Sequence, residues 1–182
     1  RYRRRRVSLA GFDDSPLQNM EISLPMVVFD SVLKNDLSVL AEEAPLDSWE
    51  FIRKANILIE QRSDEDITTT TLREEFESLC SACTEVPLLK SLQRFNLDDD
   101  DMLFALIMIN ELIDGDDEVQ VSWAAERIHE YPRPRINTVN ALISGRNKLV
   151  ATGLVRVSPG MFKSSYEVKF TPKGREELFR QD

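Results

Sequence analysis

Histidine and cysteine are almost missing from this chain: one His and two Cys among 182 residues. With no nucleophile patterned around it, the lone His129 gives no support to a Ser–His–Asp or Cys–His triad. Cys80, Cys83 and His129 together fall short of the four ligands of a structural zinc site. Glycine is also thin, at six residues, and no G-x-x-x-x-G-K-[ST] string occurs, so the chain carries no phosphate cradle. Gly160-Met161-Phe162-Lys163-Ser164 has a Lys-Ser pair but lacks both the spacing and the second Gly. Long apolar runs are absent as well. The longest, residues 102–109, is too short to span a bilayer, and no signal-peptide pattern opens the chain. These absences predict a non-enzymatic protein with no cofactor, no metal and no membrane partner. Two cysteines without a secretory signal predict a cytoplasmic location.

Charge, by contrast, is abundant and sorted. Residues 1–6 hold five Arg and no acid, for +5. Residues 7–120 hold 7 Lys/Arg against 26 Asp/Glu, for −19, and residues 121–175 hold 10 Lys/Arg against 3 acids, for +7. The last seven residues contribute −2, and the net is −9. A basic module behind an acidic body can meet an anionic partner, or can dock on that body.

The length suits one large domain or two small ones. Because the first residue is Arg, the chain is expected to be a piece of a longer protein. Residues 1–24 read as a basic arm or linker, 25–96 as a helical domain and 97–182 as a second domain. Within 26–40, Phe29, Val32, Leu33, Leu37 and Leu40 recur at helical spacing. Asp47 stands three before Glu50 as a helix start, and Thr71 with Glu74 makes a T-x-x-E capping-box pattern. Pro87 restarts the chain at a further helix.

From Leu97 the pattern changes. Four Asp at 98–101 precede an apolar helix over 102–113, and the acids suit the positive end of its dipole. A turn at 114–117 leads to a short strand at 119–121, and Ser122 is placed to cap a helix over 123–129. Pro132 and Pro134 break that helix. The next is expected at 135–148, with Ile136, Val139, Leu142 and Ile143 inward. Strands at 154–157 and 165–170 flank the Pro159-Gly160 turn signal, and Thr171-Pro172 opens a last helix. The fold class is therefore mainly α with a minor β part: a helical bundle, then a helix, strand, helix, helix and two-stranded hairpin. That second order is the order of a winged helix-turn-helix.

Local chemistry adds little. Cys80-Ser81-Ala82-Cys83 falls late in a helix, where a redox pair needs a helix start, so it reads as two small side chains on one face. His129 near a helix end suits the dipole as a cation. The acidic run at 114–118 lacks the EF-hand Gly and has Ala125 at the twelfth position counted from Asp114.

Two strings resemble winged-helix junctions: Leu149-Val150-Ala151-Thr152-Gly153-Leu154-Val155 at the exit from the third helix, and Thr171-Pro172-Lys173-Gly174-Arg175 at the exit from the wing. More narrowly, the stretch 88–179 resembles the winged-helix segment upstream of the ATPase core in some bacterial AAA+ proteins. The residues concerned are Leu88-Leu89-Lys90-Ser91-Leu92 before Phe95, Gly115-Asp116-Asp117-Glu118-Val119, and Ile143-Ser144-Gly145 leading to Gly153-Leu154-Val155. The resemblance implies an ATPase module after residue 182, with this piece as its recognition or regulatory part.

If 135–148 is the recognition helix, Asn137, Thr138, Asn140, Ala141 and Ser144 face outward. Asn can pair with adenine and Arg with guanine in a major groove. Arg133 and Arg135 would hold phosphate or a base edge, and Arg156 and Lys163 on the wing suit phosphates. The arginines of residues 1–6 would serve as an arm. Against duplex DNA stands the repulsion of the acidic body, and the missing aromatics argue against single strands. The partner is thus DNA or a protein, with the helical body packing on the module or mediating assembly. The alternative is a stand-alone winged-helix DNA-binding transcriptional regulator.

Overall fold

The structure, a computed structural model, describes residues 4–8, 21–25, 47–161 and 165–179. The chain divides into two units, residues 1–45 and 46–182. In the first, β1 (Arg4–Ser8) pairs antiparallel with β2 (Glu21–Pro25), with Arg4 opposite Pro25 and Val7 opposite Ile22. The expected arm is therefore partly strand. β-Branched Val7 and Ile22 favour extended backbone, a signal that the run of arginines hides. The helix expected at 26–40 lies outside the described residues.

The second unit is mainly helical with a small three-stranded antiparallel sheet. Helix α1 (Ser48–Ser63) starts where Asp47 Oδ1 accepts the Glu50 N–H at 2.8 Å, as the spacing predicts. Helix α2 (Thr69–Ala82) starts three residues before the expected capping box. Thr68 Oγ1 accepts the Thr71 N–H at 3.1 Å, because Thr69 is already held from outside. Its N–H donates to Glu130 Oε2 and its hydroxyl to the Ile128 carbonyl, at 3.0 and 3.1 Å. Helix α3 (Pro87–Gln93) opens on Pro87.

Helix α4 (Asp99–Asp114) is capped by Asp98, whose Oδ1 accepts from the Asp101 N–H at 2.9 Å, with three Asp in its first turn. It ends at Gly115, whose φ of 104° is the left-handed region that glycine tolerates. Every residue from Met102 to Ile109 is buried, as α4 packs against α1, α2 and later elements of the fold.

Strand β3 (Val119–Gln120) passes directly into α5 (Val121–Ile128), so Ser122 is not the cap. Val121 is drawn into the core, and that fixes the start. Helix α6 (Pro132–Ile143) begins at the prolines expected to precede it, and ends five residues early. Pro132 and Pro134 sit in the first turn, where the missing N–H groups would have no intrahelical partner. After the turn at Gly145 (φ 72°) comes the single-turn helix α7 (Lys148–Ala151), capped by Asn147 Oδ1.

Strands β4 (Val155–Pro159) and β5 (Tyr166–Phe170) form a hairpin with Val155 opposite Phe170 and Pro159 opposite Tyr166. β3 joins the other edge of β5, giving the order β3-β5-β4. Helix α8 (Pro172–Phe179) packs back on α3 and β5. One hydrophobic cluster runs from Phe51 to Leu178, so no boundary appears at the expected 96/97. The reason is α4: apolar on every side, it needs cover from both the earlier and the later helices.

The two junction strings touch. Thr171 Oγ1 donates to the Gly153 carbonyl at 2.7 Å, and Lys173 Nζ donates to the Thr152 carbonyl at 2.8 Å. Gly174 lies so close to Leu154 that a Cβ there would stand 2.0 Å from its carbonyl oxygen. This weld orients the β4–β5 hairpin on the helices. Among the described residues no helix is long and apolar enough to cross a membrane.

Candidate functional site

The corner between α5 and α6 is bound from three sides. Arg62, 2% exposed, donates to the Ile128 carbonyl at 3.3 Å and the Glu126 carbonyl at 3.1 Å. Arg135 Nε donates to the His129 carbonyl at 2.7 Å, Nη2 to the Glu130 carbonyl at 3.2 Å, and Nη1 to Glu126 Oε1 at 2.7 Å. Thr69 completes the set through Ile128. Cations at the carbonyl end of α5 complement its dipole. Arg135, expected to meet phosphate or a base edge, is thereby committed to holding the corner.

His129 sits in this corner, 2% exposed, with Nε2 2.8 Å from Thr138 Oγ1 and 3.9 Å from Asp100 Oδ2. Its Nδ1 has no hydrogen-bond partner among the described residues. Burial pushes its pKa down, Asp100 pulls it up, and Arg73, Arg62 and Arg135 push it further down. His129 is thus buried, and its surroundings disfavour the cation that its place near a helix end suggests. Arg73 meanwhile grips Asp100 with two bonds of 2.9 and 2.7 Å.

A shallow cavity of about 240 Å³ lies beside it, lined by Asp98, Asp100, Asp101, Phe104, Asn137, Thr138, Ala141 and Asn147. Asp101 is buried and accepts from Asn147 Nδ2 at 2.5 Å. Burial first, and then Asp98, raise its carboxyl to about 6. Asn137 and Thr138, expected to face a base edge, thus front carboxylates, and Thr138 is half-buried against His129. Asn140 and Ser144 are exposed, but the Ser144 hydroxyl donates back to the Asn140 carbonyl at 2.6 Å.

Several bases of the basic segment are paired, most of them with acids of the acidic one. Arg135 pairs with Glu126 at 2.7 Å, Lys148 lies 4.0 Å from Asp98, Lys169 pairs with Glu118, and Arg175 with Asp117. Lys173 and Lys148 also cap carbonyls, and Arg127 lies 4.8 Å over the Trp123 ring. The ion pairs of Asp117 and Glu118 give the acidic turn a structural role. Of the predicted site residues, Arg133 and Arg156 stay exposed without a hydrogen bond or ion pair to a described residue. Lys163 lies outside the described residues. Cys80 and Cys83 are free thiols, and burial, with smaller contributions from Asp99, Cys83 and Glu77, raises Cys80 to about 12, far from a reactive thiolate.

What sequence reasoning missed is apolar. Ile136 and Ile143, expected inward, are 57% and 38% exposed, and Tyr131 is 66% exposed. Only Leu142 is fully buried on α6. The signal was present in the spacing: at 3.6 residues per turn, Ile136 and Ile143 stand about a third of a turn from Leu142. With Arg133 and Asn140 they form one outward stripe. No family model, no curated protein and no solved structure matches this chain.

Proposed function

We propose that this chain is a non-catalytic recognition and regulatory region of a larger AAA+ ATPase in the bacterial cytoplasm, built on a winged helix-turn-helix, and that α6 docks a protein partner. The element order of residues 99–179 and the weld between its two junction strings support the winged-helix reading. The two free thiols agree with a reducing compartment. The observation that carries protein docking is the pair Ile136 and Ile143, exposed on one face of α6 with Tyr131 exposed just before the helix, while Arg135 and Thr138 of the would-be reading residues are engaged in the corner. Exposed apolar side chains grouped on one face mark interaction sites.

Duplex DNA is the second reading, favoured by Arg133 and Arg156, both exposed and without a hydrogen bond or close ion pair among the described residues. Fluorescence anisotropy with mixed-sequence duplex at two salt concentrations separates the two. Protein docking expects no duplex binding even at low salt. Binding that weakens steeply with salt and is lost in Arg133→Ala/Arg156→Ala would transfer the function to DNA. A coding sequence that continues past Asp182 into a Gly-rich phosphate loop supports the ATPase, whereas a stop codon there favours the stand-alone regulator.

A further inference from the structure

We infer that the partner of the α6 face is a short acidic segment anchored by apolar side chains, an inference that rests on the reading of α6 as a docking face. Three features of the face select that chemistry. First, α6 contains no Asp or Glu in a chain that holds 32 of them. Its one exposed cation on the stripe, Arg133, has no ion-pair partner among the described residues, and Arg146 just past the helix is exposed with its side chain bonded among them to the Ser144 hydroxyl at 2.9 Å.

Second, the acids nearest the helix start are already engaged. Glu126 is held by Arg135 at 2.7 Å, and Glu130 accepts from the Thr69 N–H at 3.0 Å. The stripe itself thus presents apolar surface edged by Arg133 and Arg146 with no carboxylate on α6, in a chain whose residues 7–120 carry −19. Like charge there would cost binding, and acidic charge would gain it.

Third, the footprint is small. Twelve residues of helix measure about 18 Å, which suits one helix or extended segment rather than the roughly 800 Å² per partner of a standard folded interface. Asp98 and Asp100 line the cavity beyond Asn137. They confine an acidic segment to the line of Arg133, Ile136 and Ile143. Leu, Ile or Phe anchors would meet Ile136, Ile143 and the Tyr131 ring, and carboxylates would meet Arg133 and Arg146.

Selection of a displayed library of random 16-residue peptides on the full 182-residue chain tests this. Enrichment of peptides combining Asp/Glu with large apolar residues is expected. Their binding should fall at least tenfold on Ile136→Asp, on Arg133→Glu, and on exchange of the peptide's acids for amides. Both variants alter exposed side chains, and unchanged circular dichroism and melting certify their folding. Ile136-dependent peptides that are basic or neutral would overturn the acidic chemistry and leave the docking face standing. No enrichment, or enrichment indifferent to Ile136 and Arg133, would overturn the docking face as well. Concentration-dependent dimerisation abolished by Ile136→Asp would name a second copy as the occupant and overturn the inference, as would Arg133-dependent duplex binding.

Discussion

Helix α4 buries nine of its sixteen residues and α6 one of its twelve, although both carry isoleucines and leucines at helical spacing. The difference lies in what holds each in place. Helix α4 is enclosed by α1, α2, α5 and α7, and hydrophobic burial fixes it. Helix α6 packs chiefly on α5 and is secured at its start by directional polar bonds from Arg135 and between Thr138 and His129. A helix positioned by bonds at one end keeps its remaining surface free for a partner. A helix positioned by burial does not.

The comparison breaks most visibly in the core. Leu103→Ala on α4, at a fully buried site, should cost about 2–5 kcal/mol in urea unfolding. Arg135→Ala should cost about 1–3 kcal/mol, because it leaves the His129 and Glu130 carbonyls short of a donor. Lys at 135 should restore only part of that, since one ammonium cannot reproduce the fork. An Arg135→Ala protein as stable as the parent would show that α6 does not depend on its polar start.

Two buried titrating groups sharpen the contrast through pH, with opposite signs. Asp101 at the α4 start has its folded pKa raised from 3.8 to about 6. The folded state therefore binds a proton that the unfolded state has released, and stability falls as pH rises between those values. Asp101→Asn should remove that slope and stabilise the protein at pH 7 by about 1–2 kcal/mol, with Asn147 still able to donate. His129 has its folded pKa lowered below 6.5. The unfolded state takes up the proton first, so stability is lost as pH falls from 6.5 towards the folded value. His129→Gln, which keeps a partner for Thr138, should flatten that acid limb in thermal melts. The smallest effect belongs to the outward stripe: Ile136→Ala should change stability by no more than about 0.5 kcal/mol. A larger loss would mean that Ile136 is buried in solution and the face is closed.

Much of the scaffold is legible from local chemistry. Asp47 caps the helix that its spacing announces, the acidic run at 98–101 marks the start of α4 although the helix begins three residues before the expected 102, Pro87 opens α3, Gly115 ends α4, and Thr171-Pro172 opens α8. Each rests on a few neighbouring residues and so survives whatever the rest of the chain does. The prolines at 132 and 134 misled, because Pro breaks one helix and opens the next with the same missing N–H. The candidate site was less legible. Arg135 looked free because two of its three acceptors are backbone carbonyls, which every sequence has and none displays. Ile136 and Ile143 looked buried because apolar spacing gives the direction of a stripe but not the width of its cover.

Residue order alone thus set the helical character, the caps and turns and the sorting of charge, since all of these depend on side chains within a few positions of one another. Which bases remain uncompensated was settled by folding. Asp98, Asp117, Glu118 and Glu126 neutralise Lys148, Arg175, Lys169 and Arg135 across up to 58 positions of chain. Coulombic pairing needs proximity in space, and only the packing of α4, α5 and β5 brings those charges together and leaves the α6 stripe uncovered.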